Sequence, residues 1–292
     1  MKPITLAAVL CLVAAPVLAD PVEIMTARGP VSLEAAPQRV VAYDVAAIDT
    51  LGALGVAPVG VPEKLYVEYL DRGAATPVGT LFEPDLEALS GLAPDLIIAG
   101  GRSVAQYDAL SQVGPTIDMT IGTDVVADAR ARLAAYGQLF GREAEAAALQ
   151  EALDARIDAV RAAAAGKGDA LIVLTNGPKV SAYGRGSRFG WIHETVGLPE
   201  AYPALVPETH GDAISFEFIA EVDPDWLIVV DRGAAVGAKG ASARETLDNP
   251  LVAGTKAAKA GHVVYLNAAN LYIAGGGYRA LMGNLDELLV AL

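Results

Sequence analysis

Cysteine, histidine and positive charge are all scarce in this 292-residue chain. Its one cysteine, Cys11, lies in an apolar N-terminal run, so a chain that loses this run has no thiol, disulfide or cysteine-bound metal. Three histidines are too few to favour a dense site for a divalent metal. Lys and Arg number 21 against 35 Asp and Glu. An acidic chain of this kind is expected to repel nucleic acid and anionic membranes.

Motifs of common enzymes are also missing. His193-Glu194 is followed by Gly197 at the position where HExxH needs its second histidine, and there is no GxSxG, Walker sequence or cysteine nucleophile. The loop from Gly184 to Gly190 is glycine-rich but has neither the P-loop ending nor the third glycine of GxGxxG. Its two arginines lie near a predicted helix start, which suits an anion. We expect no enzymatic activity.

The first 19 residues are typical of a secretory signal. Lys2 precedes an apolar run from Ile4 to Leu18 that is too short to span a membrane, and Val17-Leu18-Ala19 fits a cleavage site. The sequence predicts cleavage after Ala19 and a periplasmic protein without direct membrane insertion; an uncleaved anchor is the alternative. Leu10 stands before Cys11 where a lipoprotein signal needs a small residue, so a lipid anchor is not expected. Without Lys2, 20 basic residues face 35 acidic ones, a formal net charge of −15.

A repeated pattern organises the rest of the chain. Residues 83–102 align with residues 213–232 at a constant offset of 130 positions. Each copy has an amphipathic stretch, a Pro-Asp pair, a buried strand and an arginine just after it, Arg102 or Arg232. Parallel strands present ligand-binding groups beyond their carboxyl ends. The repeat therefore predicts two similar lobes that face one cleft, with one arginine from each.

We predict an α/β fold of two Rossmann-like βα lobes joined by a long rigid helix, with the ligand cleft between the lobes. The expected segments are a signal at 1–19, an N-terminal lobe at 20–123, a helical linker at 124–167 and a C-terminal lobe at 168–292. The linker has no proline after Asp124 and breaks at Gly141. Its second helix, 142–165, would be roughly 36 Å long at 1.5 Å per residue. An ordinary packing helix is the alternative.

Seven motifs occur in order along the second half of the chain: Leu-Thr-Asn-Gly at 174–177, Ser-Ala-Tyr-Gly-x-Gly-Ser-Arg-Phe-Gly at 181–190, Thr-His-Gly at 209–211, Ser-Phe-Glu at 215–217, Val-Asp-Arg-Gly-Ala-Ala at 230–235, Leu-Asp-Asn at 247–249 and Tyr-x-Ala-Gly-Gly-Gly at 272–277. Together they resemble the periplasmic ferric-siderophore-binding proteins of ABC importers. The likeness is strongest to the catecholate subgroup of this class III binding-protein family, which takes siderophores of the enterobactin and petrobactin kind. It runs from Pro37-Gln38-Arg39 to the last helix. No single motif is decisive, but the ordered set is specific.

This resemblance implies roles for five residues. Arg102, Arg188 and Arg232 match the family's arginine triad around an anionic ferric complex, and arginine supplies positive charge that deprotonation cannot remove. His210 and Tyr272 match residues that bind the iron directly when the siderophore supplies only four donors. A bound cation favours the phenolate form of tyrosine. The alternatives are an aromatic wall for Tyr272 and salt bridges to nearby acids for the arginines.

The resemblance also implies partners. Glu87 and Glu217 hold equivalent places in the repeat and are similar to the glutamates that dock on the membrane permease of the ABC importer; a solvated helix face is the alternative for each. A monomer is expected, with Fe(III) carried as a siderophore complex and no permanently bound cofactor. Arg185 adds a fourth positive charge to the cleft or faces solvent, and Tyr43 and Tyr107 are further candidates for the lining.

Two other classes of function stay open. A haem or cobalamin carrier would share the fold, and a periplasmic metal-dependent hydrolase is a more distant alternative.

Overall fold

Two five-stranded sheets occupy the two halves of the chain in the computed structural model, which describes residues 21–292. The predicted signal segment lies outside these residues. Within the described range, no helix is both long and apolar enough to cross a membrane.

The first half begins with an antiparallel hairpin and continues into a parallel sheet of order β5-β4-β3-β6-β7. The strands are β1 (Val22–Thr26), β2 (Gly29–Leu33), β3 (Val40–Ala42), β4 (Gly60–Val61), β5 (Thr76–Pro77), β6 (Leu96–Ala99) and β7 (Thr116–Asp118). The helices are α1 (Val45–Ala53), α2 (Leu86–Gly91) and α3 (Tyr107–Ser111).

The second half has a mixed sheet of order β10-β9-β8-β11-β12, in which β9 and β10 are antiparallel to their neighbours. Its strands are β8 (Ala170–Asn176), β9 (Lys179–Tyr183), β10 (Asp212–Ile214), β11 (Trp226–Asp231) and β12 (Val263–Tyr265). The helices from the linker onward are α4 (Val125–Leu139), α5 (Glu143–Ala164), α6 (Phe216–Val222), α7 (Arg232–Val236), α8 (Ala243–Leu247), α9 (Pro250–Ala253), α10 (Lys256–Ala260), α11 (Ala268–Tyr272) and α12 (Tyr278–Ala291).

The predicted repeat is confirmed as the same helix-strand unit in each half. Asp85 caps α2 through bonds from the N–H groups of Glu87 and Ala88, and Ser215 caps α6 through the N–H of Phe218. Each helix leads into a buried interior strand of its sheet, β6 or β11. The predicted two-lobed α/β fold class is confirmed, whereas the exact lobe boundaries stay predictions.

In chain order, α4 and α5 lie between the two sheets and form the predicted pair of helices. Gly141 separates them with a φ of 61°, a conformation that favours glycine. The 22 residues of α5 are roughly 33 Å long at 1.5 Å per residue. This helix packs against α4 and α12.

The sequence patterns did not reveal several short elements. The segment from Asn267 to Gly277 contains α11, whose N-terminus is capped by the side chain of Asn267. Between β6 and β7, a 3₁₀ turn (Val104–Gln106) precedes α3. The short helices α9 and α10 were not expected either. Such brief elements depend on caps such as Asn249 before Pro250, which do not create hydrophobic periodicity.

One hydrophobic core cluster draws side chains from both halves of the chain. Val45 and Leu81 of the first half are buried in it with Ile157 of α5, Trp226 of β11 and Leu281 of α12. Apolar burial is the main stabilising term in folding. A shared core therefore opposes wide separation of the two lobes.

Candidate functional site

A cavity of about 590 Å³ is lined by residues from both halves of the chain. Pockets for small ligands range from about 300 to about 1,000 Å³. The lining is Asp44, Phe82, Gly101, Arg102, Ile121, Gly122, Thr123, Val125, Arg188, Trp191, Thr209, Arg232, Leu271, Tyr272, Ile273 and Gly275. All three predicted arginines and Tyr272 are therefore in one cleft.

Strand ends supply two of the arginines, as the repeat predicts. Arg102 follows β6 after Gly100-Gly101, and Arg232 follows β11 as the first residue of α7. A Cβ on Gly100 would lie 2.5 Å from Cγ of Asp44, so only glycine leaves room there for the Asp44 carboxyl group. The carboxyl ends of β6 and β11 thus face the same cavity.

Arg188 reaches the cavity from the glycine-rich loop after β9. The buried Ser187 holds this loop by donating its hydroxyl to the Gly184 carbonyl (2.5 Å). Three positions before Arg188, Arg185 does not line the cavity; its Nε lies 3.3 Å from Oε2 of Glu200. The two arginines of one loop therefore have different surroundings, and Arg185 adds no charge to the cavity lining.

The three cavity arginines converge on Tyr272. The guanidinium carbons of Arg188, Arg102 and Arg232 lie 4.3, 5.3 and 5.6 Å from the centre of its ring. Arg232 Nε donates to the phenol oxygen (3.1 Å), while Arg188 Nη2 donates to the Tyr272 carbonyl (2.5 Å). Arg102 also donates to this carbonyl and to that of Ile273. Fixed positive charge from both halves therefore surrounds one phenol.

This arrangement changes the acidity of Tyr272. Burial alone raises its pKa, but the hydrogen bond from Arg232 and the charges of Arg232, Arg188 and Arg102 outweigh burial and lower the pKa below the ordinary value of 10. Burial lowers the pKa of Arg188 and Arg102, yet arginine stays protonated at neutral pH. The site therefore favours an anion and makes a phenolate easier to form.

Asp44 is the one acidic side chain in the lining of this cavity. Its Oδ2 accepts a hydrogen bond from the Ala47 N–H (3.1 Å) and so caps α1. Burial raises the pKa of Asp44 to about 6, although N–H groups of α1 and the charge of Arg102 act in the opposite direction. Its place directly after β3 follows the same strand-end rule that identified the arginines, so the rule could have found it.

The other predicted residues lie outside the cavity lining. His210 is exposed; the Tyr183 hydroxyl donates to its carbonyl (2.8 Å), and its neighbour Thr209 lines the cavity instead. Its role as an iron ligand stays a prediction. Tyr43 is fully buried and donates to the Val78 carbonyl (2.9 Å), and Tyr107 donates to the Thr116 carbonyl (2.9 Å). These two tyrosines serve the core and the first sheet rather than the cavity.

Apolar residues complete the lining. Trp191, Leu271 and Ile121 contribute indole and aliphatic surface, and Phe82 leaves 56% of its area exposed. Ligand pockets commonly combine such surface with a few polar groups that set specificity. Residues 21–292 contain no group of three or more His, Asp or Glu side chains arranged to hold a metal ion.

Glu87 and Glu217 are both exposed in the first turns of α2 and α6. These are the equivalent helices of the two halves. The pair therefore presents one carboxylate from each lobe to solvent.

Comparison with known proteins places the chain in a family. The model of the periplasmic binding protein family matches residues 40–269. The petrobactin-binding protein YclQ of Bacillus subtilis is 32% identical over 259 residues, which cover 86% of this chain and 81% of that protein. The ferric-anguibactin-binding protein FatB of Vibrio anguillarum is 29% identical, with 93% of this chain and 88% of that protein covered.

Solved structures agree with this assignment. The crystal structure of YclQ has a TM-score of 0.86 with 30% identity, covering 93% of this chain and 98% of that chain. The catecholate-siderophore binding protein VctP of Vibrio cholerae has a TM-score of 0.85 with 33% identity, covering 92% and 99%. The chain therefore belongs to the periplasmic binding protein family, whose members bind solutes outside the cytoplasm.

Proposed function

We propose that this protein captures an anionic ferric siderophore of the catecholate type and delivers it to an ABC importer in the inner membrane. The observation that carries the proposal is the convergence of three guanidinium groups, from three separate elements, on one phenol in a cavity of about 590 Å³. YclQ and VctP, named for petrobactin and catecholate siderophores, support the ligand class.

The chemistry of the ligand matches the site. Catecholate oxygens around Fe(III) form a hard, anionic complex, and arginine meets anionic oxygens with several directed N–H donors. Because the chain as a whole is strongly acidic, the three arginines reverse the sign of the charge locally. Binding and release need no covalent step, so the protein acts as a carrier and Fe(III) is its cargo rather than a resident cofactor.

Tyr272 and His210 are the proposed protein ligands for iron when the siderophore leaves coordination positions open. The lowered pKa of Tyr272 supports a phenolate at that position. His210 lies outside the cavity lining, although its neighbour Thr209 is part of that lining.

We also propose that the mature protein begins after Ala19, resides in the periplasm and acts as a monomer. Glu87 and Glu217 would dock on the importer, one from each lobe. Their exposure in equivalent helices supports this role.

A visible titration with ferric bis-catecholate and tris-catecholate complexes tests the proposal. The wild-type protein should bind both, and phenolate coordination should change the charge-transfer band of the bis-catecholate complex alone, because it has open positions. Tyr272→Phe should lose that change. If the complex of Tyr272→Phe has the same spectrum as the wild-type complex, Tyr272 does not coordinate the iron. Absence of binding by the wild type would refute the catecholate proposal. Binding of haemin or cobalamin instead would favour the other carriers of this fold.

A further inference from the structure

The last helix of the protein, α12, has no cap of its own. Its N-cap residue is Gly277, which has no side chain to accept a hydrogen bond from the first turn. An α-helix leaves the N–H groups of its first turn without partners inside the helix, and buried N–H groups need an acceptor. The acceptors come from α1, more than 220 positions earlier in the chain.

Two neighbouring side chains of α1 provide this cap. The Tyr278 N–H donates to Thr50 Oγ1 (3.2 Å), and the Ala280 N–H donates to Asp49 Oδ2 (3.0 Å). Asp49 is completely buried and Thr50 is 3% exposed. Burial raises the pKa of Asp49 to about 6, although the N–H groups of Ala280 and Arg279 act in the opposite direction. The carboxyl group faces the positive end of the α12 dipole.

The contact is closely fitted. A Cβ on Gly277 would lie 2.5 Å from Asp49 Oδ2, so a larger residue at 277 would push the carboxylate away. Arg279 Nη2 also donates to the Gly52 carbonyl at the end of α1 (2.7 Å). The first lobe therefore holds residues 277–280 through side-chain and backbone groups.

Residues 272–276, here called the binding loop, lead directly into this segment. Tyr272 lies five residues before Gly277, and Gly276 between them has a φ of 85° and packs against Ile121, a residue of the cavity lining. Arg102 of the first lobe holds the other end of the loop through the carbonyls of Tyr272 and Ile273. Although it belongs to the second half of the chain, the loop is fixed at both ends by the first.

We propose that Asp49 and Thr50 are positioning residues for the ligand cleft, because they cap α12 from the opposite lobe and so hold the loop that carries Tyr272. Disturbing this cap loosens Tyr272 and, with it, the carbonyl on which Arg102 and Arg188 converge. For its ligand this inference rests on the function proposed above. Its structural part, the control of loop order by α1, is independent of the ligand.

The chain offers a matched control. Thr255 is buried like Thr50, donates its hydroxyl to the Val252 carbonyl (2.7 Å) and accepts the Ala258 N–H at the start of α10 (3.2 Å). Thr50 donates to the Ala46 carbonyl (2.9 Å) and accepts a helix N–H in the same way. Thr50→Ala and Thr255→Ala thus remove the same chemistry, but only the first acts on the binding loop.

Amide hydrogen exchange of the ligand-free full chain tests the structural part. Exchange in residues 273–280 should rise about fivefold in Thr50→Ala, as expected when one cap is lost, and should also rise in Asp49→Ala, which removes the other acceptor. It should return toward wild type in Thr50→Ser, which restores the hydroxyl, and stay unchanged in Thr255→Ala. Equal exchange of this segment in Thr50→Ala and Thr255→Ala would overturn the inference.

Affinity for the iron(III) complex of 2,3-dihydroxybenzoate tests the functional part. Thr50→Ala should bind this probe about fivefold more weakly than wild type, whereas Thr50→Ser and Thr255→Ala should match wild type. Equal affinity of Thr50→Ala and wild type would reject the positioning role. If the wild type fails to bind the probe, the proposed function fails, and the exchange measurement still decides whether α1 orders the loop.

Discussion

Replacing Arg188 with glutamine removes the guanidinium group that lies nearest the Tyr272 ring. In the ligand-free protein, one of its donors is engaged with the Tyr272 carbonyl (2.5 Å), which leaves other N–H groups for an anion. The side chain is half-buried, so solvent screens its charge only in part. Glutamine keeps a polar group of similar length but has neither the charge nor the forked donor geometry.

The loss follows from the strength of one charged hydrogen bond. Bonds to charged groups contribute about 1.5 to about 3 kcal/mol. We therefore expect the Kd for a ferric catecholate to rise about 10-fold to about 150-fold in Arg188→Gln. Arg188→Lys should recover only part of the loss, because a point charge does not reproduce the fork.

Tryptophan fluorescence provides the assay. Trp191 lines the cavity and should be quenched by the bound iron complex, whereas Trp226 is buried in the second sheet, where it stacks on His262 with ring centres 4.0 Å apart. Arg185→Gln is the control, since Arg185 belongs to the same loop but lies beside Glu200 outside the cavity lining. An affinity of Arg188→Gln within about twofold of wild type would refute the reasoning.

Three further predictions concern other ionisable side chains, one in the cavity and the rest outside it. Asp44→Asn removes the one acidic side chain of the cavity lining and keeps a helix cap. In equilibrium titration at pH 7.5, this variant should bind an anionic ferric complex more tightly by at least about 1 kcal/mol, or about fivefold. Weaker binding would contradict this prediction. Burial is the main cause that lowers the pKa of His193 below the ordinary value of 6.5. The folded state therefore favours the neutral imidazole, and the stability that this adds is complete above pH 6.5. It is lost as the pH falls from 6.5 through the lower pKa of the folded state. Urea unfolding between pH 7.5 and pH 5 should therefore show a larger loss in wild type than in His193→Gln, and parallel curves would exclude this linkage. Changing both Glu87 and Glu217 to glutamine should reduce siderophore uptake by cells without altering the Kd of the purified protein; a changed Kd would point to the cleft instead.

Local patterns were sufficient to predict the two-lobed architecture and two of the three cavity arginines. Arg102 and Arg232 each follow a short apolar strand, and a pattern of that kind needs only neighbouring residues to be recognised. The resemblance added roles for Arg188, which lies in a loop, and for Tyr272, the last residue of the short helix α11. The convergence of the three arginines on the Tyr272 phenol depends on the packing of three elements and could not be derived from residue spacing.

The parts that sequence reasoning missed depend on contacts between distant segments. The α12 cap joins Thr50 to Tyr278, and neither residue alone differs from an ordinary helix residue. Asp44 is the exception, because its place at the end of β3 follows the strand-end rule that identified Arg102 and Arg232. His210 is exposed, and its carbonyl accepts a hydrogen bond from the Tyr183 hydroxyl, a contact invisible in the local sequence.

Anomalous diffraction at the iron edge, from crystals of the mature protein grown with a ferric catecholate, tests the central claim most directly. The account predicts a single strong iron peak in the cavity beside Arg102, Arg188 and Arg232. If the protein binds the complex in solution but the iron peak in the crystal lies on the outer surface, away from all three guanidinium groups, the claim is contradicted.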